Sequence, residues 1–403
     1  MDRRLEELRY RRMLRRRKER NRRLFLLALA LVFVIAVVSV IIVFRKGGKH
    51  TSKKPAATVT PSVADVGNDI TTPTPKEDTT FDIRICFCGD INFEDGGIPM
   101  TMLESVGGDL SKCISPELLE QMRAADIMVA NNEFTYTTRG TPLEGKAWTF
   151  RANPSRVSLL KEMGVDVALL ANNHAYDYGE VSLLDTMDTL RNAGIAYFGA
   201  GRNLEEAKKP LYLTVQGKTI AFVAASRAEK NFKTPQATAD RAGVLLCYEP
   251  ALFVEAIKEA RQNADYVIAV VHWGTEYSNA LEQVQIDTGK LYLDAGADAV
   301  IGAHSHCPQP IDFYNGKPIV YSLSNFWFNE KALDSMLIEL RIHGDHATKE
   351  SKIDLYYTPA KQQDVRTQIA YGADREAIVN FMKKISDNRI NIDNEGLVTP
   401  VEK

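Results

Sequence analysis

The sequence predicts a layered α/β domain carried behind a single N-terminal transmembrane helix. Three observations support this. From residue 81 onward, short apolar runs alternate with segments of helical spacing. Ahead of them lie a polar stretch rich in Pro and Thr and, before that, 21 residues without a charge. Several apolar runs also end in His, Asp, Glu or Asn, residue types that ligate metals.

In chain order, residues 1–23 carry twelve Lys/Arg against four Asp/Glu and read as a basic cytoplasmic tail. Residues 24–44 (LFLLALALVFVIAVVSVIIVF) are uncharged, and Arg45, Lys46 and Lys49 follow. Roughly 20 apolar residues at ~1.5 Å rise each cross a bilayer core of about 30 Å. A cleaved signal peptide would have a shorter apolar core and a small-residue cleavage site, so the segment reads as a retained anchor. The basic flank puts the amino terminus in the cytoplasm and the main domain outside the cell membrane. Residues 45–80 read as a flexible linker, 81–360 as the main domain and 361–403 as a C-terminal helical extension.

After residue 50 there are 35 Lys/Arg against 48 Asp/Glu, a formal charge of −13. Such a surface gives no general support for binding nucleic acid, which is not an expected partner. The basic tail suits anionic lipid instead. Five cysteines, Cys86, Cys88, Cys113, Cys247 and Cys307, are scattered without a C-x-x-C pair, so no disulfide framework is visible. Cys86 and Cys88 sit in an apolar run and read as small core residues.

Strand-like runs cover 82–88, 127–130, 167–170, 196–198, 211–215, 219–225, 266–271, 299–301 and 319–322. Helical spacing covers 117–125, 154–163, 181–193, 250–262 and 281–295. Gln216-Gly217-Lys218 reads as a hairpin turn. Residues 336–342 and 353–357 read as a later strand pair, and 375–385 as a closing helix.

The strand ends carry the chemistry. The first run ends in Gly89-Asp90-Ile91-Asn92, and the second in Asn131-Asn132-Glu133. The third leads to Asn172-Asn173-His174 and Asp177. The run 266–271 ends in His272, with Glu276 and Tyr277 behind it, and 299–301 leads to His304 and His306. Each pattern alone has a bland reading as a turn, a cap or a buried histidine. Together they place four of seven histidines, and several oxygen donors, at strand ends. Ligands of open α/β sheets bind at such ends. Imidazole, carboxylate and amide oxygen suit Mn²⁺, Fe²⁺ or Zn²⁺. Asp90, Asn92, Glu133, Asn173, His272, His304 and His306 exceed the needs of one tetrahedral ion. Two ions sharing a carboxylate would use them.

The motifs GDIN, NNEF, ANNHAYDYG, HWGTEY, GAHSH and SLSNFWF, in this order, resemble the CapA family of capsule-synthesis proteins over residues 83–328. That family is associated with poly-γ-glutamate, and its domain is similar to the calcineurin-like metallophosphoesterases. The resemblance implies a metallophosphoesterase-like α/β sandwich and one or two divalent ions. It makes Asp90 the first-strand ligand, Glu133 the bridging carboxylate and Asn173 a further ligand. His272, His304 and His306 complete the set. His174 becomes the general acid, and Asp177 either orients it or forms a turn. Two departures stand out: Asn92 replaces the histidine of the first motif Asp-x-His, and Asn132-Glu133 replaces Gly-Asp. Asparagine is the weaker donor, which weakens one expected metal site. Glu276, Tyr277 and Asn325 are expected to bind substrate, with Phe326, Trp327 and Phe328 as either a groove wall or core beneath a loop.

The functional expectation is a membrane-anchored, metal-dependent hydrolase or transferase acting on an anionic polymer such as poly-γ-glutamate. The alternatives are a non-catalytic assembly subunit beside polymer-synthase membrane subunits, and a general metallophosphoesterase.

Overall fold

Alternate residues of the first strand, Thr80–Ile91, enter different cores: Ile83, Ile85 and Phe87 face one, Cys86 and Cys88 the other. Lys218–Ser226 divides in the same way, with Ile220, Phe222 and Ala224 on one face and Ala221, Val223 and Ala225 on the other. Strands apolar on both faces need cover on both. Two sheets therefore share a central core, and helices close their outer faces. The computed structural model describes residues 79–229 and 233–401.

The larger sheet runs from Ile390–Ile392 through Leu397–Pro400, Ser351–Gln363, Leu333–Asp345, Thr80–Ile91, Ile127–Asn132 and Val167–Leu169 to Ala196–Phe198. The last four strands are mutually parallel. Asn325–Trp327 also pairs in parallel with the end of the first strand. The smaller sheet runs Ile311–Tyr314, Lys317–Val320, Ala299–His304, Tyr266–Trp273, Lys218–Ser226, Leu211–Val215, with a parallel centre and a hairpin at each edge. Ile98–Ser105, Pro116–Arg123, Val157–Met163 and Glu180–Ala193 cover the larger sheet. Ala251–Asn263 and Gln283–Asp294 cover the smaller.

The layered α/β class expected from the sequence is what the structure has. The edge hairpin turns at Gln216-Gly217, both at positive φ (47° and 74°), the geometry of a tight two-residue turn. A second hairpin of the same kind, at Asn315-Gly316, joins Ile311–Tyr314 to Lys317–Val320. The sequence reading has no first strand there, although Asn-Gly is the strongest short hairpin signal. Helix Ile98–Ser105 is also absent from that reading, as eight residues give few turns over which periodicity can register. The later strand pair is much longer than expected, at 13 residues each.

Residues 361–403, read as a helical extension, do supply the helix Gly372–Ile385. They also supply Ile390–Ile392 and Leu397–Pro400, which join the larger sheet, and Ile378, Met382, Ile390 and Val398 enter the central core. A terminal strand three residues long shows no alternation until a partner strand is beside it. The expected anchor at 24–44 and the linker before residue 79 lie outside the described residues. Among the described residues no helix is long and apolar enough to cross a membrane.

Two glycines allow the backbone to crowd where the sheets meet. A Cβ on Gly89 would lie 1.9 Å from the Ser324 carbonyl oxygen, and one on Gly302 would lie 1.9 Å from that of Tyr321. Gly302→Ala is expected to destabilise by about 3 kcal/mol or more, because fixed backbone must move. Gly289, inside Gln283–Asp294, would meet nothing closer than 3.5 Å. Gly289→Ala is expected to stabilise by about 0.5–1 kcal/mol. Urea unfolding of both variants measures this, and equal losses at the two positions would contradict the close-approach account.

Candidate metal centre

The parallel strands of both sheets deliver their carboxyl ends to one place. Register fixes much of it: Asp90 lies opposite both Asn131 and Asn325, and Trp273 lies opposite His304. Glu133 follows Ile127–Asn132 directly and is fully buried. Its Oε1 accepts no hydrogen bond, yet three imidazole Nε2 atoms stand around it: His272 at 3.6 Å, His174 at 3.9 Å and His306 at 3.9 Å.

Ligand atoms of Glu133, His272 and His304 lie within 4.8 Å of one another, and so do those of Asp90, Glu133 and His306. Glu133 belongs to both groups. His304 Nδ1 likewise lacks a hydrogen-bond partner although buried, and Asp90 Oδ2 has only His306 Nδ1 beside it, at 3.0 Å. Buried polar atoms are nearly always satisfied. An array of orphaned oxygens and nitrogens that share one carboxylate therefore fits one or two divalent cations. His304 (φ 96°), His306 (φ 55°) and Ser324 (φ 66°) all hold left-handed backbone. Such strain collects where a site over-determines the chain.

Neighbouring amides fix the geometry. The Asn131 Nδ2 group donates to Asp90 Oδ1 (2.6 Å) and Glu133 Oε2 (3.2 Å), and lies 3.3 Å from His272 Nδ1. Asn173 Oδ1 lies 2.7 Å from His272 Nε2. His306 Nδ1 donates to Asn325 Oδ1 (2.8 Å) and lies 3.0 Å from Asp90 Oδ2. His174 Nδ1 donates to Asp177 Oδ2 (2.7 Å), so in the neutral ring Nε2 presents a lone pair toward Glu133. Asp177 therefore orients His174.

Burial and the crowding of like groups set the electrostatics of this centre. Burial pushes the Glu133 carboxyl well above the usual range, and the Asp90 carboxylate adds to this. For Asp90, burial is the largest single influence, but His306, Asn131 and His304 together outweigh it, and its carboxyl lies below the usual range. His306 is raised by that same pairing, against burial. His272 is lowered well below the ordinary imidazole value by burial and by neighbouring histidines. Burial and His306 push His304 down to about 3. Burial also lowers His174, with Asp177 opposing.

Asp90, Glu133, Asn173, His174, Asp177, His272, His304 and His306 are thus gathered at one centre. Asn92 is placed differently: its Oδ1 accepts from the Glu94 N–H (2.8 Å), a local turn, rather than serving as an expected ligand. Asn325 is fully buried behind His306 and so is no groove wall. Phe326 and Trp327 are core, while Phe328 stacks near His306 (ring centroids 4.8 Å) and Phe150 (5.5 Å). Glu276 and Tyr277 are exposed at the rim, where the Tyr277 ring lies 5.6 Å from His306 and carries the Lys331 ammonium 3.3 Å above it. Sequence reasoning placed Asn131 at a strand end, two residues before Glu133, but gave it no role, and it missed Lys146, Phe150 and Lys331. These three lie in loops whose folding back no local pattern encodes. A polar cleft of about 670 Å³ lined by Asp82, Arg341 and His343 lies at the opposite, amino-terminal end of the first strand and holds none of these residues.

Residues 84–330 match the family model described as bacterial capsule synthesis protein PGA_cap. The chain is 33% identical over 334 residues to the PGA biosynthesis protein CapA of Bacillus subtilis (strain 168), covering 79% of this chain and 85% of that one. It is 34% identical over 205 residues to the capsule biosynthesis protein CapA of Bacillus anthracis, covering 47% of each. Among solved structures, the NAD nucleotidase of Haemophilus influenzae aligns with a TM-score of 0.42 at 12% identity, over 76% of this chain and 56% of that one. A likeness of that size fixes no chemistry.

Two outcomes are expected of the metal-free protein. The folded-state values of His174, His272 and His304 lie below the ordinary ~6.5, so the unfolded chain binds protons that the folded chain does not. Their contribution is whole above about pH 6.5 and falls as pH drops toward the folded-state values, each tenfold difference in proton affinity being worth about 1.4 kcal/mol. His306 and Glu133, being raised, oppose this. In Glu133→Gln, where the opposing carboxyl is gone, urea melts from pH 7.5 to 4.5 should show stability falling more steeply than in the parent, and an equal or shallower fall would contradict the assignment. Glu133→Gln, which removes a buried unpaired carboxylate, should stabilise the metal-free protein by about 1–3 kcal/mol while losing metal. Calorimetry and elemental analysis test both halves.

Proposed function

The chain belongs to the bacterial capsule synthesis protein family PGA_cap, and from that membership and the centre around Glu133 we propose that it serves poly-γ-glutamate capsule synthesis as a metal-dependent hydrolase or transferase of metallophosphoesterase type. One observation carries the catalytic part: a single buried carboxylate, one of whose oxygens accepts no hydrogen bond, belongs to two ligand groups at once. Asp90, Glu133 and His306 would hold one ion of the Mn, Fe or Zn type, and Glu133, Asn173, His272 and His304 a second. A divalent ion there supplies a Lewis acid for a carbonyl or phosphoryl oxygen.

The protein's own groups do the rest. Asn131 and Asn325 aim the carboxylates and His306. His174, backed by Asp177, stands 3.9 Å from Glu133 Oε1 and carries a proton to or from the reacting atoms. Phe150 and Phe328 keep water from His174 and His306, with Phe150 packed 4.5 Å from the His174 ring. Tyr277 and Glu276, exposed beside His306, meet the substrate. The proposed setting is the cell membrane, with residues 24–44 as a single-pass anchor, the amino terminus in the cytoplasm and polymer-synthase membrane subunits as partners.

A second reading, a non-catalytic assembly subunit, draws on Asn92. With its oxygen accepting from the Glu94 N–H, the ligand expected at that position is lost, which weakens the hold of the Asp90 group on an ion.

Elemental mass spectrometry on the full chain, beside His304→Ala/His306→Ala, separates the readings. Near-stoichiometric metal in the parent, at least tenfold less in a folded variant, and hydrolysis of poly-γ-glutamate that is lost with the metal are expected. A folded parent that takes up no metal on reconstitution would remove the hydrolase reading and leave the assembly subunit.

A further inference from the structure

The rim beside His306 carries a positive charge that the chemistry described so far leaves unused. The Lys331 side chain is exposed, and its Nζ lies 3.3 Å from the centroid of the Tyr277 ring. Among the described residues no carboxylate pairs with this ammonium. Glu276 stands next to Tyr277 in the chain, but its charge is felt at His306 and Glu133 instead. An ammonium over an aromatic face is held by the ring's electron density, and its charge is not cancelled there.

Both halves of the pair are fastened from behind. Tyr277 keeps left-handed backbone (φ 56°), which is rare for a bulky residue, and its N–H donates to the Ser305 carbonyl (2.7 Å), between His304 and His306. The same two loops are tied again by Asn279 Nδ2 on the Pro308 carbonyl (2.6 Å) and Gln309 Nε2 on that of Ser278 (3.0 Å). On the other side, the buried Gln362 accepts from the Phe328 N–H (3.0 Å) and donates to Asn329 Oδ1 (3.1 Å) and the Lys331 carbonyl (2.8 Å). Phe328 lies against His306 (ring centroids 4.8 Å), as Tyr277 does (5.6 Å). Two loops that follow strands of different sheets thus place their rings on one histidine of the centre, with an exposed ammonium beside them. Left-handed backbone at an exposed tyrosine serves no core, and such strain collects at sites of binding.

We propose that Lys331, seated on Tyr277, is a specificity-determining residue of this centre: its ammonium binds a free carboxylate on the substrate, next to the bond that reacts. The N–H groups that do not face the ring remain for the ligand, and a charged donor on a charged acceptor makes the stronger kind of hydrogen bond. A lysine already held in place also loses less freedom on binding. The proposal rests on the proposed function for the reacting bond, but the preference for an anionic ligand is measured without turnover.

The test is isothermal titration of the full chain with a γ-linked glutamate trimer, its α-carboxylates free or capped as amides, and with inorganic phosphate. The parent should bind the free-carboxylate trimer at least about threefold more tightly than the amide form, as one exposed ion pair allows. Lys331→Met should erase that preference, Lys331→Arg should keep it, and Tyr277→Leu should reduce it by removing the seat. If Lys331→Met does not fold, Lys331→Gln, uncharged and of similar length, takes its place. A parent without the preference, or a folded uncharged variant that retains it, would overturn the proposal. Lys331-dependent binding of phosphate, with the two trimers bound alike, would overturn the carboxylate assignment. A parent that lacks metal and turnover but keeps the preference would refute the hydrolase reading alone and leave Lys331 holding the polymer. Metal and turnover without the preference would refute the role of Lys331 alone.

Discussion

A carboxylate buried among imidazoles, with one oxygen left without a donor, is the constraint around which this protein is arranged. Glu133 could reach water only by leaving the end of its strand, and the two sheets that meet there prevent this. Its position makes sense if positive charge is to arrive from outside the chain. Around it burial keeps His272 and His304 from protonation, and His306, raised by its pairing, is committed to Asp90. Stability is forgone at the centre, a common exchange at functional sites.

The surrounding structure keeps this costly arrangement rigid. Parallel pairing sets Asp90 beside Asn131 and Asn325, and the amide of Asn131 then touches Asp90, Glu133 and His272. Gly89 and Gly302 let the strand ends and the 321–324 crossing pass at backbone contact distance. Left-handed backbone at His304, His306 and Ser324 follows from the same crowding, since a relaxed chain would aim these side chains elsewhere. Large apolar side chains in three cores supply the stability that makes such strain tolerable.

The aromatic and basic groups at the rim complete the division of labour. Phe150 and Phe328 lie against two of the three histidines around Glu133, and Tyr277 with Lys331 stands at the exposed edge. The site is apolar where it meets its own histidines and charged where it meets solvent.

By itself the sequence determined the layered α/β class, because alternating apolar runs and amphipathic segments have few other ways to bury both faces. It determined most of the donor set as well, since Asp90, Glu133, Asn173, His174, His272, His304 and His306 follow strands that were already legible, and strand ends in such sheets converge. Only the tertiary structure decided what each donor does. Asn92 turns to its own backbone and Asn325 backs a histidine, because side-chain direction depends on neighbours that the local chain does not contain. Lys146 and Phe150 reach the centre through a loop held by Asp177, a closure over some thirty residues that leaves no periodic trace. Strands such as Ile390–Ile392 were invisible for the same reason: three residues carry no pattern, and their partners give them one.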